Sequence, residues 1–154
     1  MLIDRGVDAR LVVAGDGPLR SRLERSAAGL PVSFTGFLSD RRELAHVLAS
    51  ADVSLNPGPI ETFCLSALEA LASGTPVVAS DSSALPELLT RGGELAGAST
   101  TSFADAVERV LAVPNERRRT EARSRAAEFP WRATVERMLR VHESLDPELD
   151  RDLG

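Results

Sequence analysis

Short apolar runs alternate along this chain with longer stretches in which apolar positions recur every three or four residues. The runs "ARLVVAG" (9–15), "VSFTG" (32–36), "DVSLNP" (52–57) and "PVVAS" (76–80) predict buried strands. A shorter run, "GEL" (93–95), adds an edge strand. Helical spacing covers 18–29, 40–51, 62–74, 84–93, 101–112, 114–128 and 131–145. "PLRSRLERSAAG" (18–29) has proline near its start and glycine at its end, the usual helix punctuation. "DRRELAHVLASA" (40–51) is capped by Ser39 or Asp40. The closing segment 146–154 reads as a frayed tail, which leaves residues 1–145 as the domain. No internal repeat or linker interrupts it.

This alternation predicts an α/β domain, a Rossmann-like parallel sheet with flanking helices. Such sheets bind ligands beyond the carboxyl ends of their strands. The loops "GDGP", "GFLSD", "NPGPIE" and "SDSS" fall there.

The helix in "ETFCLSALEALASGTPVVAS" (61–80) raises a specific question. Glu69 stands among Leu65, Ala67, Leu68, Ala70 and Leu71, where a buried carboxylate needs partners. The helix follows a loop containing proline and glycine, so the amides of Phe63, Cys64 and Leu65 lack intrahelical partners. With the positive end of the helix dipole they form a phosphate site. Glu61 lies just before the helix and Glu69 two turns in, about 12 Å apart at a rise of ~1.5 Å per residue. That span suits a ligand with a sugar at one end, phosphates in the middle and a ribose at the other. A carboxylate that accepts two vicinal hydroxyls would clamp the ribose. Taken alone, a glutamate at such a place more often pairs with an arginine or reaches water at the helix edge.

Composition narrows the choice. A chain of 154 residues can bury a real core as one domain. Its formal net charge of −5 gives no general attraction to nucleic acid or anionic lipid. The arginine-rich stretch "ERRRTEARSRAAE" (116–128) interleaves acidic residues and reads as a solvated helix face. All 18 basic residues are arginine, and without lysine no Walker-type phosphate loop is possible. Cys64 is the only cysteine, which excludes an internal disulfide and a thiolate metal cluster. Neither histidine, His46 or His142, is near it in sequence to make it a nucleophile. No stretch approaches the ~18 apolar residues of a membrane span, and "MLIDRGVDAR" is no signal peptide, so the expected location is cytoplasmic.

The string "PGPIETFCLSALEALASGTPVVAS" resembles the donor-site signature of retaining GT-B glycosyltransferases of family 4. Their pattern is Glu, seven residues, Glu, with a Phe-Gly-Leu-like step after the first Glu and Gly-x-Pro-Val-Val after the second. Glu61 and Glu69 match the pair, Phe63 and Leu65 flank the step, and Gly74, Pro76, Val77 and Val78 match the close. "LVVAGDGP" and "VSFTGFLSDRRELAHVLASADVSLNP" extend the resemblance over residues 2 to about 112, with a weaker echo in "FPWRATVERMLRVHE". The "PGP-ETF" wording is most similar to bacterial GDP-mannose-dependent α-mannosyltransferases acting on lipid acceptors.

The resemblance implies a role for each matching residue. Glu61 is the catalytic-site carboxylate that holds the transferred hexose. The amides of Phe63, Cys64 and Leu65 bind the diphosphate and Glu69 the ribose hydroxyls, with Thr62 among the donor-binding residues. Phe37, Leu38 and Asp40 border the base, and Gly15 and Gly17 let backbone approach the donor. Tight turns for the two glycines and ordinary core for Leu38 remain alternatives. The implied donor is a nucleotide-diphosphate sugar, used without metal or other cofactor. The terminal "DRD" (150–152) imitates a metal motif only superficially. The acceptor, a lipid or a glycan, would bind through an N-terminal domain not found here, and the full-length enzyme could touch a membrane surface.

Two departures stand out. Cys64 occupies the place where the family usually has glycine. The chain also opens after the strand and loop that supply the family's arginine and lysine for the phosphates. In a sheet ordered 3-2-1-4-5-6 the absent strand is central, so "ARLVVAG" and "DVSLNP" should flank a gap of roughly two ~4.8 Å strand spacings. The sequence therefore reads as part of a two-domain transferase, inactive alone. The final helix, with Trp131, Val135, Met138, Leu139, His142 and Leu145 on one side, is expected to expose apolar surface and favour oligomers. A non-catalytic nucleotide-sugar-binding or interaction module is the alternative, and a sugar-nucleotide epimerase of the same fold is disfavoured by the Glu-seven-Glu string.

Overall fold

Apolar density decides where this chain packs, and it is highest between residues 64 and 96. The computed structural model describes residues 1–82 and 84–145; the predicted tail, "DRD" included, lies outside them. Strands β1 (Leu11–Ala14), β2 (Val32–Gly36), β3 (Ser54–Asn56), β4 (Val77–Ser80) and β5 (Gly93–Ala96) alternate with helices. The helices are α1 (Arg20–Ser26), α2 (Arg41–Ser50), α3 (Leu65–Ala72), α4 (Leu85–Leu88), α5 (Thr100–Ala112), α6 (Asn115–Ala126) and α7 (Trp131–Leu145).

β3, β4 and β5 form a parallel sheet in that order, with Val77 opposite both Ser54 and Gly93. β4 is buried at every position because it has a strand on each edge and helices on both faces. Val77 and Ala79 point to a core shared with Ala67, Ala70 and Leu71 of α3, Leu85 and Leu88 of α4, and Ala122 of α6. Val78 points the other way, to Ala106, Val107 and Val110 of α5. Ser99 starts α5 by accepting the amide of Ser102 at 3.0 Å.

β1 and β2 make a separate parallel pair. The strand predicted at 9–15 is not buried: of residues 9–36 only Gly36 is. A strand is covered only by what lies beside and above it, and β1 pairs with β2 alone. Leu11 and Val12 remain 43% and 48% exposed. Among the described residues β1 and β3 do not pair.

The arginine-rich helix α6 keeps the solvated face expected of it at Arg117 and Arg123, but three other arginines turn inward. Arg119 donates to the carbonyls of Ala49 and Ala51 at 3.0 Å, closing the end of α2. Arg118 reaches the carbonyls of Leu111 and Val113 at the end of α5 and pairs with Asp52 at 2.8 Å. Arg125 donates to Leu88 at 2.7 Å and Glu87 at 2.6 Å, at the end of α4. Helix C-termini carry unpaired carbonyls and the negative end of the dipole, which is where a cation helps. Three helices thus end on one. Burial and the neighbouring Arg91 lower the pKa of Arg125 from the ordinary arginine value, and Glu128 pairs with it.

The predicted stripe on α7 is present and uncovered, with Trp131, Val135, Met138 and Leu139 all exposed.

Candidate functional site

β3 ends at Asn56, and the loop "PGPIETF" carries the chain to α3. That helix begins at Leu65, three residues later than expected. The cause is Cys64, whose φ of 62° and ψ of 72° are left-handed; among the described residues no other non-glycine has positive φ. A left-handed residue cannot continue a right-handed helix, so Thr62 and Phe63 stay in the preceding turn. The first helical bonds run from Ala67 and Leu68 to the carbonyl of Cys64, at 3.1 and 3.3 Å. The unpaired amides of the helix start are therefore those of Leu65 and Ser66. The amides of Phe63 and Cys64 belong to the turn before it.

Glu69 is exposed, which corrects the expectation of a buried charge. Ala67, Ala70 and Leu71 form the buried side of α3, while Leu65, Ser66 and Glu69 occupy the open side. A helix with alanine and leucine on every face can be covered on one face only. The carboxylate needs no buried partner.

Glu61 is half-buried between two loops. Its carbonyl accepts the amide of Ala84, after β4, at 3.4 Å. Its Oε1 lies beside Gly58, 3.6 Å from where a Cβ there would stand. Residues 61–64 are not helical, so the 12 Å separation expected from helical rise does not apply across them. Phe63 meets Phe129 edge to face with 5.9 Å between ring centroids, and Arg125 stacks over Phe129 at 4.6 Å. Thr62, Phe63, Glu87, Arg125, Phe129 and Arg137 line a cavity of about 320 Å³. This link from the site loop to α6 had no signature in the sequence. Neither had the side chain of Asn56, whose Nδ2 donates to Ser66 Oγ at 3.0 Å and Cys64 Sγ at 3.3 Å.

The remaining candidates gather at the carboxyl ends of β1 and β2. Gly15 has φ of 132°, accessible in practice only to glycine, and its amide bonds the Gly36 carbonyl at 2.9 Å. The Gly17 amide bonds Asp16 Oδ1 at 2.7 Å, a tight local turn. The turn reading holds for Gly17, whose carbonyl accepts the Arg20 amide at 3.0 Å, whereas Gly15 stands in an isolated bridge to Gly36; both border open space, with no atom within 4 Å of an added Cβ. Phe37 is exposed and Leu38 is half-buried rather than core. The Asp40 carboxylate accepts the Arg42 amide at 2.8 Å and so caps α2, a structural task beside the base-bordering one expected of it. Among the described residues no hydrogen bond joins Gly15, Gly17, Phe37, Leu38 or Asp40 to residues 62–69.

Comparison with known proteins bears on both groups. The sequence profile of the family described as Glycosyl transferases group 1 matches residues 1–113. A GDP-mannose-dependent alpha-(1-6)-phosphatidylinositol dimannoside mannosyltransferase of Mycobacterium tuberculosis is 55% identical over 139 residues, 90% of this chain and 36% of the relative. An MMP alpha-(1->4)-mannosyltransferase of Mycolicibacterium hassiacum is 37% identical over 150 residues, 92% of this chain and 36% of that protein. The chain thus spans about a third of the length of these relatives. Among solved structures, sucrose-phosphate synthase of Thermosynechococcus elongatus superposes with a TM-score of 0.80 at 28% identity, covering 94% of this chain and 40% of that one. HepE of Anabaena in complex with UDP has the same fold, with a TM-score of 0.75 at 21% identity over 88% of this chain and 41% of its own.

Proposed function

The chain belongs to the glycosyl transferases group 1 family, and from that premise we propose that it forms the donor-binding part of a retaining mannosyltransferase using GDP-mannose. The observation that carries this reading is the 55% identity to a GDP-mannose-dependent relative. A match of 139 residues within 154 necessarily includes the segment from Glu61 to Ser80. Names that describe transferases also favour transfer over a binding-only module.

Glu61, held between the loops after β3 and β4, takes hydroxyls of the mannose. The amides of Leu65 and Ser66, with those of Phe63 and Cys64 in the turn before, face the diphosphate. As the bond to mannose breaks, negative charge grows on the departing GDP. Fixed amides and the helix dipole stabilise it without needing to reorganise. Glu69, on the open side of α3, accepts the ribose hydroxyls. Gly15, Gly17, Phe37 and Leu38 border the nucleoside. The acceptor is a lipid or glycan bound outside this segment, and the enzyme works in the cytoplasm or at the cytoplasmic face of a membrane. Among the described residues no helix is long and apolar enough to cross one. The exposed stripe of α7 is an association surface, so an oligomer fits this reading.

Because amides and a dipole face the phosphates, binding should not need a divalent metal. Calorimetric titration with GDP is expected to give the same affinity in EDTA as in Mg²⁺ or Mn²⁺. A strict metal requirement would contradict the amide site and point instead to a metal-bridged diphosphate.

A further inference from the structure

Cys64 holds a backbone conformation that side chains rarely adopt, and its surroundings indicate what keeps it there. Its Sγ is nearly buried, the residue being 5% exposed. Asn56 Nδ2 lies 3.3 Å from Cys64 Sγ and 3.0 Å from Ser66 Oγ, and Sγ and Oγ are themselves 3.3 Å apart. The three side chains close a triangle across the turn that starts α3. Asn56 is fixed independently, because its backbone pairs with Ala79 in the register of β3 and β4. Its other amide atom, Oδ1, is buried with no partner. An apolar side chain at the end of this strand would leave no such orphan, so Asn56 is a poor choice for the local fold alone. With the amide reversed, thiol and hydroxyl would both donate to Oδ1, and the triangle would hold in either sense.

We propose that Asn56 is a positioning residue for the donor site: it ties Cys64 and Ser66 to the end of β3 and so keeps residue 64 left-handed and the amides of Leu65 and Ser66 aimed at the diphosphate. This rests on reading the start of α3 as the diphosphate site. Left-handed backbone disfavours any residue but glycine, and without the triangle Cys64 relaxes and the amides turn. A glycine at 64 needs no such restraint.

That difference supplies the test, a four-variant cycle on the whole chain: wild type, Asn56→Ala, Cys64→Gly and the double variant. Each is titrated with GDP and melted without ligand. Asn56→Ala is expected to weaken GDP binding about fivefold or more when residue 64 is cysteine. When residue 64 is glycine the same change should cost less than about twofold. Asn56→Leu, which keeps the branched shape without the polar atoms, should behave alike and guards against a loss of folding through an emptied site. Equal weakening in both backgrounds, or none in either, would overturn the proposal. If wild type bound no GDP at all, the diphosphate reading would fail, and the melts would still judge the triangle. Asn56→Ala should lower Tm by a few degrees more with cysteine than with glycine at 64, and equal shifts would dismiss it.

Discussion

Glu69→Gln is expected to weaken GDP binding by about tenfold or more while leaving the melting temperature unchanged. Hydrogen bonds from hydroxyls to a charged group contribute ~1.5–3 kcal/mol, and ~1.4 kcal/mol is a factor of ten in affinity. The exposure of Glu69 makes this a clean experiment, because the side chain supports nothing in the core. Exposed substitutions usually stay within about 0.5 kcal/mol in stability. A GDP analogue lacking both ribose hydroxyls should bind wild type and Glu69→Gln alike, since the interaction removed by the mutation is already absent. Calorimetry on the two proteins with the two ligands separates ribose recognition from a general electrostatic effect. Equal GDP affinity in wild type and mutant would remove Glu69 from the site.

The largest loss of stability is expected from Gly93→Ala. Gly93 stands opposite Val77 in the register of β4 and β5, and a Cβ there would lie 2.0 Å from the Val77 carbonyl oxygen and 3.0 Å from its carbon. Both atoms are backbone, in a fully buried strand with helices on both faces, so neither can swing aside. Relieving the overlap means separating the two strands. Roughly 3 kcal/mol or more is expected, or a Tm lower by about 6–12 °C in a domain of this size. Gly17→Ala is the matching control, since nothing lies within 4 Å of its added Cβ and its φ is not positive. It should melt close to wild type. A Gly93→Ala protein that also did so would refute the tight β4–β5 pairing.

The alternating pattern made the architecture legible, because strands such as "PVVAS" and helices such as "TSFADAVERVLA" carry the periodicity of their final environment. The edge strand at 93–95 emerged as β5, one residue longer. Burial was less legible. "ARLVVAG" is as apolar as a buried strand, yet β1 is largely exposed because burial depends on neighbours that a local pattern does not describe. The same reason misplaced Glu69: the letters around it are apolar, but α3 presents Leu65, Ser66 and Glu69 to the open side. The late start of α3 was hidden in one backbone angle. Only the cysteine in a glycine's place hinted at it. Arg118, Arg119 and Arg125 of α6 were misread because interleaved charges look the same whether a guanidinium meets water or the carbonyls ending another helix. Asn56 and Phe129 left no trace, since Asn56 meets Cys64 and Ser66 only across the bend before α3, and Phe129 meets Phe63 only through the fold.

Calorimetric titration of the chain with GDP-mannose and with UDP-glucose, both in EDTA, tests most directly whether a nucleotide-sugar donor site is present. GDP-mannose should bind saturably, more tightly than UDP-glucose, and should lose affinity about tenfold or more in Glu69→Gln. Saturation by neither donor, or tighter binding of UDP-glucose, would contradict a GDP-mannose site built on the start of α3.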